Sequence, residues 1–393
     1  QRTVLGAASI EAKKFGVKTG MQIWEAKKIC PQIILVPGDS DKYLEVTKRF
    51  LNILKDYSPY LEIFSIDEAF MEFKESETSS EILRLAPQDD KIVILNEVKN
   101  LSRMRVISIA QDIKSRIRSG IGEWITCSIG ISYNKLMAKL AGSLQKPNGL
   151  VVIPNQEEAI KVLDKIELDE ICGIGPRIQK RLNNMGVFDF HQLRQVPLKS
   201  MLASFKSYGQ ILYDMARGID HSPVTPFYEK GEVKSIGHRH TIDHDTSDPE
   251  EIQQILLKLS EMVARRLRTK NLVGKTVHCW YRSAMFLGDG MQITIPYTND
   301  GLDIFKAAWK IFQSIWDGKK IRMIGVSISN LKPQTPQNLS LLPEVKRKEI
   351  ITRALDKIND KYGEFTLQRA VLLTSPSIRR KPNPFLTDRR FRL

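Results

Sequence analysis

Residues 57–70 read YSPYLEIFSIDEAF and carry the strongest structural signal in the chain. Aromatic and β-branched residues dominate the stretch, which predicts β-strand structure. Within it, Asp67 and Glu68 stand among apolar residues, where an ionised carboxylate is costly to bury unless a cation neutralises it. Mg²⁺ accepts one or two carboxylates together with substrate phosphates, so the doublet is a candidate metal site. Spacing alone leaves open a second interpretation, an acidic hairpin turn that faces water.

A second candidate site lies in residues 128–150, which read SIGISYNKLMAKLAGSLQKPNGL. The pattern predicts a strand that ends at Ser132 and a helix that follows directly. The helix carries Lys135 and Lys139, and Lys146 lies past its end. Lysines held near a strand-to-helix junction suit the binding of phosphate. The alternative is an ordinary lysine-rich helix face in solvent.

The third feature is a glycine-containing turn in residues 168–186, which read LDEICGIGPRIQKRLNNMG. Pro176 suits the first position of a helix, so the pattern predicts two helices on either side of Gly173 and Gly175. Glycines let backbone N–H groups approach a phosphate, and Lys180 on the following helix adds positive charge. A plain tight turn between helices is the alternative.

The second half of the chain predicts a separate domain. Residues 233–331 give six elements in the order β-α-β-β-α-β, the split βαβ plan of an α+β domain. Residues 222–232 mix Pro, Gly and charge without an apolar period, which indicates a linker. Residues 75–104 match neither neighbouring pattern and are interpreted as an inserted surface segment. Beyond residue 332 the chain is rich in Pro and charge, with one predicted helix around residues 347–360.

The composition is typical of a folded, basic protein. The 393 residues include 60 Lys and Arg against 45 Asp and Glu, a net charge of +15 at pH 7, and 42% are hydrophobic. The hydrophobic content excludes wholesale disorder, and the charge favours a polyanionic partner such as nucleic acid. No run of about 18 uncharged apolar residues occurs, so neither a membrane partner nor export is predicted. The four cysteines are widely spaced without a C-x-x-C pair, which argues against a disulfide framework and a zinc site.

Three motifs in this order resemble one family, the Y-family (translesion) DNA polymerases of the DNA polymerase IV type. Residues 11–21, EAKKFGVKTGM, resemble its finger segment, and residues 57–70 and 128–150 resemble its two palm signatures. The glycine turn resembles its helix-hairpin-helix thumb, and residues 233–331 resemble its little finger. The resemblance implies an α+β multidomain fold, the right-hand polymerase architecture with palm, fingers, helix-hairpin-helix thumb and βαββαβ little finger.

The resemblance also implies domain boundaries. These are fingers at 1–38, palm at 39–155 with an insertion at about 75–104, thumb at 156–221, linker at 222–232, little finger at 233–331 and a C-terminal tail at 332–393. In the family, a first palm strand with a third metal-binding Asp precedes the position where this sequence begins. We therefore expect an N-terminally truncated chain that binds primer-template DNA but extends primers very slowly or not at all.

The implied activity is template-directed DNA synthesis across damaged DNA, in which two Mg²⁺ ions assist nucleotidyl transfer. Asp67 and Glu68 are then the catalytic metal ligands. Lys146 and Lys13 are the nucleotide-binding residues, and Lys13 stands where the family usually has Arg, so it keeps the charge without the bidentate fork. Ile10 replaces a tyrosine that contacts the same phosphates, and we expect weaker nucleotide binding for that reason.

The implied partners are primer-template DNA, deoxynucleoside triphosphates and the sliding clamp. The DNA-binding candidates lie in the thumb and little finger and are Gly173, Gly175, Lys180, Lys234, Ser235, Arg239 and Arg322. A clamp-binding candidate lies in the tail sequence QNLSLL and consists of Gln337, Leu339, Leu341 and Leu342. An ordinary leucine cluster in a linker is the alternative for this peptide. The implied location is the bacterial cytoplasm, in association with the nucleoid.

A rival hypothesis from another class is a non-catalytic relative that binds DNA and recruits a working polymerase. The expected truncation favours this rival. The retained Asp67, Glu68 and Lys146 count against it, because a binding module has no need of a buried acidic doublet. A more distant alternative is a structural DNA-binding protein that uses only the helix-hairpin-helix and a basic surface. Nucleotide binding that depends on Mg²⁺ separates both from a polymerase.

Overall fold

The computed structural model describes residues 4–73, 93–95, 100–229, 231–334, 343–363 and 365–373. These residues form two compact units, one within Val36–Lys230 and the other joining Gln1–Leu35 to Gly231–Arg380. The clamp-binding candidates lie outside the described residues; they are Gln337, Leu339, Leu341 and Leu342.

The N-terminal segment holds two short helices, α1 (Ile10–Lys14) and α2 (Ile23–Ile29). The Ser9 side chain caps α1 by accepting a hydrogen bond from a backbone N–H of its first turn. Val17 and Ala26 are buried in a small apolar cluster that joins the two helices. Both helices lie within residues 1–38, the segment that the resemblance assigns to the fingers.

The unit within Val36–Lys230 contains a five-stranded sheet with helices on both faces. Its elements are α3 (Ser40–Lys55), β1 (Leu61–Ile63), β2 (Ala69–Glu72), β3 (Val93–Leu95), α4 (Asn100–Gly120), β4 (Ile129–Ser132), α5 (Lys135–Leu144) and β5 (Leu150–Ile153). The strand order is β1-β2-β3-β4-β5, with β1 antiparallel to β2 and the other neighbours parallel. Strands β2 to β5 therefore all begin at the same edge of the sheet.

Side chains alternate between the two faces of this sheet. Ala69 and Met71 belong to the core with α3 and α4, whereas Phe70 between them clusters with Ala138 of α5. Gly130 in β4 lets α5 approach closely, since a Cβ atom there would lie 2.0 Å from the carbonyl oxygen of Ala138. Helix α5 is thus held against the sheet at a distance that only glycine permits.

The segment interpreted as a surface insertion supplies one strand of the sheet. Strand β3 lies within residues 75–104 and pairs in parallel with β2 on one side and β4 on the other. Helix α4 also begins inside that segment, at Asn100. The interpretation was wrong for these residues, because the run Val-Ile-Leu of β3 suits a central parallel strand.

A helical bundle follows the sheet. Its helices are α6 (Gln156–Leu163), α7 (Pro176–Asn183), α8 (Phe190–Gln195), α9 (Leu198–Phe205) and α10 (Ser207–Met215). The buried residues Leu182, Phe190 and Leu212 lie in its core. Ahead of the glycine turn, the structure has a single 3₁₀ turn, Leu168–Glu170, in place of the predicted first α-helix. Leu168 within this short turn is buried in the core of the bundle, so the turn still contributes an apolar contact.

The second half of the chain has the predicted β-α-β-β-α-β order. The elements are β6 (Ser235–Thr246), α11 (Pro249–Thr269), β7 (Leu272–Ser283), β8 (Gly288–Thr298), α12 (Gly301–Ile315) and β9 (Ile321–Ser329), followed by β10 (Lys332–Pro333) and α13 (Pro343–Tyr362). The antiparallel strand order is β6-β9-β7-β8, and β10 pairs with the start of β7. None of the described helices is long and apolar enough to cross a bilayer.

Helix α13 docks on α11 through charged groups. Arg268 donates two hydrogen bonds to the Asp356 carboxylate, at 2.6 and 2.8 Å. Arg265 forms a second ion pair with Asp360, one turn further along α13. A bidentate guanidinium–carboxylate pair fixes the relative orientation of its two groups as well as their distance, so it holds α13 in a defined position on α11.

Part of the predicted linker packs on the five-stranded sheet. Val224 is buried beside Phe70, and the N–H of Phe227 donates to the carbonyl oxygen of Leu61 at 2.8 Å. This part of the predicted linker is therefore in contact with the sheet, where the free edge of β1 offers unpaired backbone groups.

The cysteines differ in exposure, which gives a simple chemical test of the fold. Cys30, Cys127 and Cys279 are buried and Cys172 is exposed. Burial raises the pKa of the Cys279 thiol to about 12, so very little reactive thiolate forms near neutral pH. We expect a thiol reagent to modify one cysteine quickly in the native protein and four in denaturant. Rapid modification of a Cys172→Ser variant would contradict this arrangement.

Candidate functional site

Asp67 and Glu68 lie in the turn that connects β1 to β2. The N–H groups of Phe64 and Ser65 both donate to the Glu68 carbonyl oxygen at 3.0 Å, which closes the turn. The Ser65 hydroxyl donates to the Asp67 carboxylate at 2.5 Å. The turn therefore holds the two carboxylates as adjacent groups at the end of the hairpin.

Helix α3 fixes the position of this turn. The buried Thr47 hydroxyl lies 2.6 Å from the carbonyl oxygen of Ile66 and 2.7 Å from that of Tyr43. A hydroxyl carries one hydrogen, so it is shared between the two acceptors. Ile66, the residue before Asp67, is thereby held against α3.

The apolar neighbours of the acidic doublet suggest burial within a strand, but the structure does not bury it there. Asp67 is exposed, and the Glu68 side chain is 36% exposed. The strands end at Ile63 and resume at Ala69, so the turn removes both carboxylates from the apolar ladder. The hairpin-turn alternative describes the local structure correctly, and the pair is accessible to ligands from solvent.

Lys139 of α5 contacts the doublet. Its ammonium group lies 2.5 Å from a Glu68 carboxylate oxygen and 4.6 Å from the centre of the Phe64 ring. Sequence reasoning grouped Lys139 with phosphate-binding lysines and missed this pair. The parallel sheet was needed to show it, because α5 returns along the strands toward the edge where β2 begins.

Lys135 has a structural role. Its ammonium group lies 2.7 Å from the Glu62 carboxylate, and the same carboxylate accepts the N–H of Thr225 at 2.7 Å. Both charged side chains are largely shielded, with 13% and 17% of their areas exposed. Glu62 and Lys135 therefore join β1, α5 and the segment after the bundle, and Lys135 is committed to this contact.

Lys146 is exposed just beyond the end of α5. The following loop is held by Lys114 of α4, which donates to the carbonyl oxygens of Cys127, Asn148 and Gly149. Since α5 returns to the edge where β5 begins, this loop and the acidic turn lie at the same edge of the sheet.

Lys13, the other predicted nucleotide-binding residue, lies in α1 and is exposed. It belongs to the unit that contains Gln1–Leu35, whereas Asp67, Glu68 and Lys146 belong to the other.

The glycine turn before α7 has the backbone geometry that it needs. Gly173 has a φ of +114°, which disfavours a side chain, and its carbonyl oxygen accepts the Tyr208 hydroxyl at 2.8 Å. Gly175 is the N-cap residue of α7, and no side chain caps this helix. Lys180 is exposed on α7. The predicted phosphate-binding groups of the turn therefore face accessible surface.

The DNA-binding candidates of the second unit divide into two kinds. Lys234, Ser235 and Arg239 are exposed on or beside β6. Arg322 instead donates two hydrogen bonds to Asp245, at 2.9 and 3.0 Å, and its guanidinium lies over the Phe286 ring. Arg322 is thus engaged within its own domain.

The acidic turn suits a hard divalent cation that also binds phosphate. Asp67 and Glu68 offer two carboxylates, which is the number that Mg²⁺ takes from protein when phosphates and water complete its coordination. No group of three or more His, Cys, Asp or Glu side chains with metal-binding proximity lies in the described residues. The residues present therefore fit a metal that is shared with a nucleotide substrate.

Three family models match the chain. The impB/mucB/samB family model matches residues 1–143, and the model of that family's C-terminal domain matches residues 233–341. The model of the DNA polymerase-iota thumb domain matches residues 169–220, which include the glycine turn.

Relatives match over most of the length. DNA polymerase IV of Moorella thermoacetica is 36% identical over 375 residues, which cover 95% of this chain and 87% of that protein. DNA polymerase IV of Pelotomaculum thermopropionicum is 34% identical over 377 residues, with the same two coverages. A solved structure of a Y-family DNA polymerase chimera superimposes with a TM-score of 0.65 at 25% identity, covering 83% of this chain and 87% of that one.

Proposed function

The chain belongs to the Y-family of DNA polymerases, the impB/mucB/samB family, and we propose that Asp67 and Glu68 are its catalytic metal ligands. Family membership makes the chain a DNA-directed DNA polymerase of the type that copies damaged templates. Similarity to polymerases over 95% of this chain favours catalysis over the rival hypothesis of a non-catalytic DNA-binding relative.

The family is metal-dependent, and the two carboxylates are the groups that carry this proposal. We propose two Mg²⁺ ions as the cofactor. When bound, they would polarise the reacting phosphate and favour the attacking oxygen of the primer. Thr47 and Ser65 hold the acidic turn in place, and Lys139 orients Glu68. Lys139 also offsets part of the charge repulsion between the adjacent carboxylates.

We assign two lysines, Lys146 and Lys13, to the binding of the triphosphate. Lys146 is supported by its place at the same sheet edge as the acidic turn. Lys13 is supported by exposure on α1 and by the resemblance of its segment to the family's fingers. The proposed domains are fingers at 1–38, palm at 39–155, thumb at 156–221, linker at 222–232 and little finger at 233–331. The proposed place of work is the nucleoid of the bacterial cytoplasm.

The test of this assignment is nucleotide binding that depends on metal. A fluorescent deoxynucleoside triphosphate, titrated into the protein on primer-template DNA, should bind more tightly with Mg²⁺ than with EDTA. Asp67→Asn should remove most of the Mg²⁺-dependent gain, because the amide carries no charge for the ion. Glu157→Gln, an exposed carboxylate at the start of α6, is the control and should leave the gain intact. An unchanged gain in Asp67→Asn would refute the metal assignment.

Affinity for DNA should fall steeply as salt rises. The net charge of +15 and the exposed Lys180, Lys234 and Arg239 support contacts with backbone phosphates. Each phosphate contact contributes about −0.9 to the slope of log affinity against log salt for a duplex. Equilibrium titrations at several salt concentrations measure this slope, and Lys234→Ala should make it shallower. A dissociation constant that does not respond to salt would contradict backbone binding.

We also propose that the tail binds a sliding clamp. Gln337 would occupy a polar subsite, and Leu341 and Leu342 an apolar pocket that contributes about 1.5–3 kcal/mol per leucine. The resemblance of QNLSLL to bacterial clamp-binding peptides supports this proposal. Replacing both leucines by alanine should abolish retention on immobilised clamp while DNA affinity stays the same. Equal retention of the double variant would exclude the peptide.

A further inference from the structure

Helix α13 docks on the little finger with its polar side. Within residues 350–362 the half-buried side chains recur at helical spacing, and they are Thr352, Leu355, Asp356 and Asn359. Only one of these four residues, Leu355, is apolar. Asp356 pairs with Arg268 of α11, and Asn359 exchanges two hydrogen bonds with the backbone of Leu367. A surface helix normally packs its apolar side on the core, so the orientation of α13 is reversed.

The apolar side of α13 faces solvent. Ile351 is 50% exposed, Ile358 is 37% exposed, and the neighbouring Ile350 and Tyr362 are 67% and 65% exposed. These four residues are here called the outer stripe. Ile351 and Ile358 lie one heptad apart, which is the spacing of a seam between two packed helices. Single exposed apolar residues are common, but a group of four on the undocked side of a helix indicates an interaction site.

The charges of α13 are sorted between its two sides. Its acidic residues within 350–362 are Asp356 and Asp360, and both pair with arginines of α11. Exposed basic residues flank the outer stripe instead, and they are Arg347, Lys357 and Lys361. Charges beside an apolar seam determine which partner is accepted, because like charges repel and opposite charges attract. The outer stripe therefore suits an occupant that is both apolar and acidic.

Charge disfavours two occupants that the chain itself could supply. Residues 374–393 carry six Lys or Arg and one Asp, so they match the sign of the outer stripe. A second copy of the chain that packed α13 against α13 would bring Lys357 and Lys361 close to their own counterparts. The occupant that complements this surface is consequently another protein.

We propose that the outer stripe binds an acidic amphipathic helix of a partner protein. The apolar side chains of that helix pack on Ile351 and Ile358, and its carboxylates pair with Lys357 and Lys361. Helix α11 covers one face of the little-finger sheet, whereas Arg239 lies on the opposite face, since its neighbour His238 aligns with the buried Val326. The partner therefore need not compete with DNA. This interaction goes beyond the proposed polymerase function and needs neither metal nor nucleotide.

The experiment measures the fluorescence anisotropy of a labelled synthetic peptide of about three heptads, with leucine along one helical stripe and glutamate and alanine elsewhere. The full chain is first saturated with primer-template DNA, which covers its DNA-binding surfaces. Two matched peptides are titrated in parallel, one with lysine in place of glutamate and one with serine in place of leucine. The acidic leucine peptide should bind at least about 10-fold more tightly than either of them.

Variants of α13 locate the binding surface. Replacing Ile351 and Ile358 together by serine should weaken binding of the acidic leucine peptide by at least about 10-fold, because two apolar contacts are lost. Replacing Lys357 and Lys361 together by glutamate should reverse the preference, so that the lysine peptide binds more tightly. Met285→Ser is the matched control, since Met285 is 79% exposed in the turn between β7 and β8. It should bind like the wild-type chain, and all variants should retain their DNA affinity.

The proposal fails if the serine double variant binds the acidic peptide as tightly as the wild-type chain, or if the serine peptide binds as tightly as the leucine peptide. If the serine variant unfolds, the charge-reversed variant decides, and an unchanged preference overturns the proposal.

Two further measurements test the other occupants. Sedimentation with phosphatidylserine vesicles that depends on Ile351 and Ile358 would identify a membrane surface instead, and self-association abolished by the serine replacements would identify a second copy. Either result overturns the proposal. Metal-dependent nucleotide binding reports on Asp67 and Glu68 alone, so the polymerase assignment and this proposal succeed or fail independently.

Discussion

Primer extension is expected to fall by on the order of 10³-fold when Glu68 is replaced by glutamine, equivalent to about 4 kcal/mol of transition-state stabilisation. Glutamine keeps the shape of the side chain but loses the charge that would hold a metal ion. It also removes the 2.5 Å ion pair with Lys139, which then has no carboxylate partner at position 68. Single-turnover extension of a labelled primer at saturating Mg²⁺ measures the loss.

The chain offers a matched control in Glu62. It also forms an ion pair with a lysine of α5, Lys135, and differs from Glu68 in lying on β1 and not in the turn. Glu62→Gln should lower the free energy of unfolding while extension per folded molecule stays close to that of the wild-type chain. Both variants should bind primer-template DNA normally. Equal extension by Glu68→Gln and Glu62→Gln would mean that the acidic turn is not the catalytic site.

The second large effect is expected at Gly130, where alanine should lower the free energy of unfolding by at least about 3 kcal/mol, the upper range for overpacking. The added Cβ atom would lie 2.0 Å from the Ala138 carbonyl oxygen and 2.3 Å from the Gly142 nitrogen. Both are backbone atoms of α5, so the clash is relieved only by moving the helix off the sheet. Urea unfolding measures the loss, and extension should fall too because α5 carries Lys139.

Gly142 is the reciprocal control from the same contact. An added Cβ atom there has its nearest neighbour at 3.4 Å, an ordinary contact distance, and the residue lies within a helix. Gly142→Ala should therefore be neutral or stabilising by up to about 1 kcal/mol, the helix preference of alanine over glycine. If both variants were equally destabilised, the close approach of α5 at Gly130 would not be the cause.

The predictable parts of the fold are those that local patterns determine. The β-α-β-β-α-β order of the second half follows from alternation and caps that each element carries in its own sequence, and the structure confirms it. Strand β3 could not be recognised in the same way, because three residues show no period. Its place depends on pairing with β2 and β4, which are distant in sequence.

The candidate site was predicted in its residue types but not in its contacts. Asp67 and Glu68 stood out because carboxylates are rare among apolar neighbours, yet the same neighbours wrongly suggested burial. A tight turn ends both strands there and needs only five residues, 64–68. The pairing of Lys139 with Glu68 spans 71 residues of sequence and follows from the direction in which α5 crosses the sheet. No local pattern encodes that direction.

The anchoring of α13 limits what the tail can do. Strand β10 ends at Pro333 against β7, and α13 begins at Pro343 and is tied to α11 by Arg268 and Asp356. The residues between, 334–342, span at most about 30 Å even when fully extended. This segment is therefore connected to the little finger at both of its ends. A partner bound within it stays closer to that domain than a partner bound to a free C-terminus would. The length of the segment then sets the effective concentration of such a partner near this domain.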